Sequence, residues 1–160
     1  MNQGAGIWGI IDASSKPWTN TPWEWLFVYG TLKRGQRNHA LLSGAPFGGE
    51  ARIDGMRLYD LGPFPMAIAE AGFHIEGELF GVDARLLAEL DRFEGSPRLY
   101  ERILWPITPM HAANLANKSA QPAHPPQRAW LYRGRAHQVR HVPPIGPRYD
   151  PTPTHTGANQ

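Results

Sequence analysis

The chain has 160 residues and no Cys, which excludes disulfide bonds, thiolate nucleophiles and cysteine-based zinc sites. Its length suits one domain with one hydrophobic core. No apolar run approaches the ~20 residues that a membrane span needs, and no basic segment precedes an apolar one at the start. We therefore expect a cytoplasmic protein without a membrane partner.

The net charge of +2 conceals two regions of opposite sign. Residues 25–105 carry nine Arg or Lys against eleven Asp or Glu, which makes −2, whereas residues 121–160 carry five Arg against one Asp, which makes +4. A basic segment is able to bind nucleic acid, but here no aromatic residues are interleaved with the arginines. This pattern favours a solvated tail and predicts no nucleic-acid partner.

The composition predicts one domain between two extensions. Residues 1–22 are polar and small and form an N-terminal extension, although Trp8, Trp18 and the following Trp23 indicate that part of it docks on the domain or on a partner. The domain itself is expected at 23–135, with a Pro-rich loop at 107–128. The Pro-rich segment 136–160 is expected to be an irregular or disordered tail.

The first predicted elements are strands. Residues 25–32 are apolar nearly throughout, which is typical of a strand buried on both faces, and Gly30 breaks the run. A short helical turn follows at 38–42. Residues 50–59 then alternate as in a strand, with three inward positions at Ile53, Met56 and Leu58.

A turn at 61–65 leads to an apolar run at 66–68 and a further strand at 72–82. Asp83 is a suitable N-cap for the helix that follows, and Gly95 is placed to end it. The apolar face of this helix consists of four residues at helical spacing: Leu86, Leu87, Leu90 and Phe93. Extended segments at 100–106 and 129–132 complete a compact mixed α+β domain.

The loop from Gly30 to Gly35 has the spacing of a phosphate-binding loop. The next two residues are Gln36 and Arg37 instead of the Lys and Ser or Thr that reach the γ-phosphate and magnesium, so nucleotide binding is not expected. Two interpretations remain: a plain turn, and a loop whose N–H groups face a ligand. From the spacing alone the plain turn is favoured.

Glu94 is the candidate acid–base group. A carboxylate near a helix end is usually a solvated surface group. However, Glu94 directly follows Phe93 on the apolar face, and it lies at a helix C-terminus, where the helix dipole disfavours an anion. Burial and the dipole both raise a carboxyl pKa, and a carboxyl that titrates near neutral pH suits general acid–base catalysis.

Other polar residues give weaker signals. Glu76 and Glu78 share one face of a strand and are expected to be solvent-facing or salt-bridged. His137 and His141 have the spacing of a helical metal site, but they lie in a Pro-flanked segment without a third ligand, so no metal site is predicted. The nucleophilic serine motif G-x-S-x-G does not occur in the chain.

Four blocks of the sequence, in order and spacing, resemble the γ-glutamylcyclotransferase-like family, and within it the γ-glutamylamine cyclotransferases. The resemblance covers roughly residues 25–105, with a plausible final strand at 130–132. The matching residues are Phe27-Val28-Tyr29-Gly30-Thr31-Leu32-Lys33-Arg34-Gly35-Gln36 with Asn38 and His39; Gly62-Pro63-Phe64-Pro65-Met66-Ala67-Ile68; Glu76-Gly77-Glu78-Leu79-Phe80 with Val82 and Asp83; and Leu90-Asp91-Arg92-Phe93-Glu94-Gly95 with Pro97, Leu99, Tyr100 and Arg102.

The resemblance implies a small mixed β-barrel with flanking short helices and a cavity at one end. It also implies the roles of individual residues in this chain. Glu94 is the general acid–base, and the substrate's γ-glutamyl group is bound by Tyr29, Gly30, Thr31, Leu32 and Tyr100.

The reaction implied by the resemblance is an intramolecular aminolysis, in which a γ-glutamyl amine or peptide releases 5-oxoproline and a free amine. Such an amine-type lyase requires no metal or organic cofactor. The released amine stays open between an ε-lysyl side chain, a dipeptide and a small biosynthetic amine. A non-catalytic small-molecule binding module on the same fold is the alternative function, and an interaction protein that uses its two extensions is a third.

Overall fold

The computed structural model describes residues 23–110 and 127–151. Within them six strands form one mixed sheet in the order β4-β6-β1-β3-β2-β5, with one α-helix and two short 3-10 helices. Their bounds are β1 Trp23–Val28, η1 His39–Leu42, β2 Phe47–Asp60, β3 Pro65–Asp83, α1 Ala84–Glu94, β4 Glu101–Pro106, β5 Thr108–Pro109, β6 Arg128–Arg133 and η2 Ala136–Val139.

The sheet curls into a half-barrel because β6 pairs with two strands besides β4. Leu26 of β1 lies opposite Trp130 in parallel register, and Ala67 of β3 lies opposite Arg133, also in parallel register. This architecture confirms the expected α+β class and the small mixed β-barrel with short helices at its side. In the described part of the chain no helix is long and apolar enough to span a membrane.

A long hairpin of β2 and β3 forms the largest part of the sheet. Its register shifts between Asp54 and Met56, where Gly55 adopts a positive φ of 86°. The extra residue moves the inward side from Ile53 to Met56, and both side chains are fully buried. The three predicted inward positions of β2 are confirmed, since Leu58 is also fully buried.

Strand β1 is buried on both faces, as its sequence predicts. One face joins the first core cluster through Trp25 and Phe27, and the other joins the second cluster through Leu26 and Val28. The prediction that this strand continues to residue 32 is wrong. It ends at Val28 because the next residues turn, with the N–H of Lys33 bonded to the carbonyl of Gly30 at 3.1 Å.

Helix α1 begins and ends where the sequence predicts. The Asp83 carboxylate accepts a hydrogen bond of 2.8 Å from the Leu86 N–H, and Gly95 adopts the left-handed conformation that ends a helix. Leu87 and Leu90 are buried against the sheet. The assignment of Phe93 to the core face is wrong, because this residue in the last turn of the helix is 45% exposed.

Two other segments differ from their predictions. Strand β3 is one paired strand, where the sequence predicts two segments, because β2 remains paired with it on both sides of Gly72. Within the predicted loop 107–128, Thr108–Pro109 pairs with β2. The N-terminal extension 1–22, most of that loop at 111–126 and residues 152–160 lie outside the described residues.

The C-terminal segment 140–151 is irregular, as predicted, but it packs on the domain. The carbonyl of Pro147 accepts a hydrogen bond of 2.8 Å from the N–H of Glu76, and the N–H of Ile145 donates to Leu58 at 2.9 Å. Tyr149 is buried. Prolines cannot donate to a strand, but their carbonyls accept from one, so a Pro-rich segment is able to lie along a sheet edge.

Candidate active site

A cavity of about 350 Å³ opens at one end of the half-barrel. The loop after β1, the turn before β3 and the last turn of α1 surround it. The structure brings together in its wall all six residues singled out from the sequence: Tyr29, Gly30, Thr31, Leu32, Glu94 and Tyr100.

The loop after β1 is held in shape by Asn38 and His39. The Asn38 backbone N–H donates to the Thr31 carbonyl at 3.0 Å, and its side-chain amide donates to the Thr31 hydroxyl at 3.0 Å. The His39 Nδ1 atom lies 2.8 Å from the Leu32 carbonyl oxygen. The loop is therefore both a hydrogen-bonded turn and a wall of the cavity, so the two interpretations of its sequence are compatible.

Backbone donors of this loop remain available to a ligand, among them those of Thr31 and Leu32. Among residues 23–110 and 127–151, no acceptor takes the N–H groups of Thr31 and Leu32. Both residues line the cavity. Backbone donors that are fixed in place before a ligand arrives stabilise a developing oxyanion without further reorganisation.

Gly30 is the point where two walls of the cavity meet. A Cβ atom on Gly30 would lie 2.7 Å from the Cγ atom of Pro65 and 2.9 Å from its Cδ atom. Real contacts of a Cβ atom are longer, so a side chain at residue 30 would push the loop away from β3. Glycine is required here by the close approach, since its φ is not positive.

The hydroxyl groups of two tyrosines are bonded inside the protein. Tyr29 donates to the Tyr132 carbonyl at 2.5 Å and accepts from the Ala67 N–H at 3.1 Å. Tyr100 donates to the Pro65 carbonyl at 2.9 Å. Burial raises the pKa of both hydroxyls, so they stay protonated and shape the cavity without acting as bases.

Glu94 is the last residue of α1 and is half-buried at the cavity wall. Burial raises its pKa from 4.5 to about 7, as its place in the sequence predicts. No hydrogen bond or ion pair holds its carboxylate within the described ranges 23–110 and 127–151. The negative charge of Glu94 also raises the pKa of Tyr29 and of Tyr100, so the three groups are close enough to interact electrostatically.

The family model for gamma-glutamyl cyclotransferase, AIG2-like proteins matches residues 26–148. The chain belongs to this family. The gamma-glutamylaminecyclotransferase of Homo sapiens is 42% identical to it over 90 residues, which are 48% of this chain and 57% of that protein. The Bos taurus protein of the same name is 42% identical over 90 residues, which are 48% of this chain and 52% of that protein. The chain thus spans little more than half the length of these relatives.

Solved structures, one of them of an AIG2-like protein, share the fold. The crystal structure of an AIG2-like protein from Mus musculus superposes with a TM-score of 0.64 at 26% identity, over 81% of this chain and 97% of that one. The solution structure of the YtfP protein from Escherichia coli gives a TM-score of 0.53 at 26% identity, over 78% of this chain and 95% of that one.

In this member of the gamma-glutamyl cyclotransferase family, an ion pair between Asp91 and Arg102 holds the last turn of α1, which ends at Glu94. Arg102 binds both oxygens of Asp91, at 2.8 and 3.2 Å, and the Tyr132 hydroxyl donates to Asp91 at 2.7 Å. Burial raises the pKa of Asp91, but these hydrogen bonds outweigh that effect, so the pKa lies below its usual value. The last turn of the helix is therefore attached to both β4 and β6.

Sequence reasoning did not place nine residues of the cavity wall in the site of this family member: Phe27, Val28, Arg37, Asn38, Phe64, Pro65, Phe93, Leu99 and Tyr132. Arg37 enters the sequence analysis only as evidence against nucleotide binding. Phe64, Phe93 and Leu99 stand in the blocks that carry the family resemblance, and that resemblance is the signal that could have identified them. Within the described ranges, no group of three His, Cys, Asp or Glu residues is arranged to hold a metal ion.

Proposed function

We propose that the protein is a γ-glutamyl cyclotransferase, which releases 5-oxoproline and a free amine from a γ-glutamyl amine or peptide. One observation carries this proposal. Glu94, whose pKa is about 7, shares a cavity with the unoccupied N–H groups of Thr31 and Leu32. The family membership and the names of the mammalian relatives support the same activity.

The loop 29–32 and Tyr100 bind the γ-glutamyl group. Their hydrogen bonds within the protein hold the loop before the substrate arrives, so little conformational entropy remains to be lost on binding. The substrate is folded so that its α-amine lies against its own γ-carbonyl carbon. Because this ring closure is intramolecular, holding that geometry contributes a large part of the rate.

The reaction removes two protons from the attacking nitrogen, adds one to the leaving nitrogen, and needs stabilisation of one oxyanion. Glu94 removes the first proton from the α-ammonium, the nitrogen attacks the γ-carbonyl, and the carbonyl oxygen becomes negative. The N–H groups of Thr31 and Leu32 stabilise that oxygen, each by about 3 kcal/mol. The bond to the leaving nitrogen breaks as Glu94 passes the proton to it, and the regenerated carboxylate takes the second proton from the ring nitrogen. The products are 5-oxoproline and a neutral amine, and Glu94 then loses its proton to solvent.

A carboxyl group with a pKa near 7 suits both transfers. At neutral pH its ionised and protonated forms are nearly equally populated, so neither proton transfer is strongly uphill. An ordinary glutamate would be almost fully ionised and a weak acid toward the leaving nitrogen. The half-buried position that raises the pKa of Glu94 is thus part of the proposed mechanism.

The test is release of 5-oxoproline, measured by mass spectrometry, from a panel of γ-glutamyl amines, γ-glutamyl dipeptides and glutathione, in the presence of EDTA. The variants are Glu94→Gln and the matched control Glu89→Gln, an exposed residue of the same helix outside the cavity. We expect wild type and the control to be active and Glu94→Gln to lose about 100-fold to 10,000-fold.

Two results would contradict the proposal. Near-normal turnover by Glu94→Gln would remove Glu94 from its role as acid–base. No product from folded wild-type protein, combined with calorimetric binding of the panel compounds, would favour the binding module.

A further inference from the structure

The cavity has two charged residues in its wall, Glu94 and Arg37. Arg37 is exposed, and its guanidinium donates a hydrogen bond to the carbonyl of Pro63, in the turn between β2 and β3. That bond holds the cation against the opposite wall, while other N–H groups of the guanidinium remain available to a ligand.

Arg37 and Glu94 lie on different segments of the cavity wall. The guanidinium of Arg37 is bonded to the turn between β2 and β3 through the carbonyl of Pro63, whereas Glu94 is the last residue of α1. The two charged side chains therefore reach the cavity from separate elements of the fold.

Apolar side chains border the same opening. We define the apolar lip as Phe64, Phe93 and Leu99, all of which line the cavity. Phe93 is 45% exposed and Leu99 is 42% exposed. Exposed apolar side chains that converge on a cavity indicate contact with an apolar part of a ligand.

We propose that Arg37 and the apolar lip select the leaving group, and that this group is an α-amino acid with a large apolar side chain. Its carboxylate pairs with the guanidinium, and its side chain packs on the lip. The carboxylate of the γ-glutamyl group is the competing partner of Arg37. Because every γ-glutamyl substrate carries that carboxylate, substrates that differ only in the leaving group separate the two assignments.

This inference rests on the proposed function. It is tested with four substrates in which a carboxylate and an aromatic ring on the leaving group are each present or absent. γ-Glutamyl-phenylalanine has both features, γ-glutamyl-phenethylamine lacks the carboxylate, γ-glutamyl-alanine lacks the ring, and γ-glutamyl-ethylamine lacks both. The value of kcat/KM is measured for wild type, Arg37→Gln and Phe93→Ala. Arg140→Gln is the control, since Arg140 is exposed and outside the cavity wall.

We expect wild type and Arg140→Gln to prefer γ-glutamyl-phenylalanine over γ-glutamyl-phenethylamine by about 10-fold to 100-fold, the range of a charge-assisted hydrogen bond. Arg37→Gln reduces this ratio to less than about threefold by slowing only the two carboxylate substrates. Phe93→Ala reduces the preference for phenylalanine over alanine by about fivefold to tenfold, because about 1 kcal/mol of apolar contact is lost.

Three outcomes would overturn parts of this inference, and each is distinct. Equal kcat/KM for the acid and amine substrates in wild type removes the role of Arg37 while the cyclotransferase function stands. An unchanged phenylalanine-to-alanine ratio in Phe93→Ala removes the role of the lip. No 5-oxoproline from any of the four substrates overturns the proposed function itself.

Discussion

Lys33 and Asp150 lie 117 residues apart in the chain and form an ion pair of 2.8 Å between Nζ and Oδ1. Lys33 is 4% exposed and directly follows the loop that lines the cavity. The other oxygen of Asp150 binds Arg148 at 3.0 Å. The C-terminal segment is thus attached to the loop by a nearly buried cation, and this contact bears on the stability of the cavity wall.

Replacing Asp150 by Asn is expected to destabilise the protein by about 1–3 kcal/mol, because a nearly buried ammonium group then loses its charged partner. The loss is smaller than for a fully buried pair, since the Asp150 side chain is 55% exposed. Urea unfolding followed by tryptophan fluorescence measures it.

Two further variants make this experiment decisive. Arg140→Gln, an exposed residue of the same segment, should leave the midpoint unchanged. The double variant Lys33→Met with Asp150→Asn should recover part of the lost stability, because no unpaired charge remains. Equal midpoints for wild type and Asp150→Asn would show that the pair contributes nothing.

The carboxyl of Glu94 should make stability depend on pH. Its pKa in the folded state, about 7, lies above its ordinary value of 4.5, so the folded state binds the proton more tightly. This contribution is fully present below pH 4.5 and is lost as pH rises through 7. Glu94→Gln, which carries no charge, is therefore expected to be more stable than wild type by about 1–3 kcal/mol at pH 8. At pH 4 the two should be equal, and a difference independent of pH would contradict the shift.

The same titration should appear in catalysis. If Glu94 must be ionised to accept the proton of the α-ammonium, kcat/KM falls about tenfold per pH unit below pH 7. The profile of kcat/KM between pH 5 and 8 measures this limb, with circular dichroism at each pH as a control for folding. A profile that stays level down to pH 5 would mean that a group of ordinary carboxyl pKa carries the step.

The contact between Gly30 and Pro65 gives a prediction about packing. Gly30→Ala places a methyl group 2.7 Å from the Cγ atom of Pro65, so we expect a loss of about 1–3 kcal/mol of stability and of most activity. Gly146→Ala is the matched control, because a Cβ there meets nothing within 4 Å and Gly146 has no positive φ. Thermal unfolding and turnover are measured for both. Equal effects of the two changes would contradict the steric explanation.

The local features of this fold were predictable from sequence because their causes are local. Asp83 begins the helix and Gly95 ends it through hydrogen bonds and a backbone conformation that involve near neighbours in the chain. Glu94 was identified as a candidate from its position beside Phe93 at the helix end, but its burial belongs to the cavity wall, since Phe93 itself is 45% exposed. Strand β1 was predicted from an uninterrupted apolar run, but its end was not, because the turn at Gly30 competes with the strand.

Features that depend on distant parts of the chain were not predictable. Arg37 lines the cavity because its guanidinium is bonded to the carbonyl of Pro63, 26 residues away. The spacing of residues in the sequence does not predict such a contact. Phe93 satisfies the helical pattern of a core residue, yet it is 45% exposed and lines the cavity. The C-terminal segment has the composition of a solvated tail, but its carbonyls accept hydrogen bonds from β2 and β3.

The close approach of Gly30 to Pro65 also means that different parts of the cavity wall tolerate larger side chains to different degrees. At the base, loop and strand already touch, so any larger residue there disrupts both walls at once. At the opening, Phe93 and Leu99 are 45% and 42% exposed, so larger side chains there have solvent to extend into. Under the proposed function, substitutions at the opening would change which leaving group is accepted, while substitutions at the base would disturb the reacting groups.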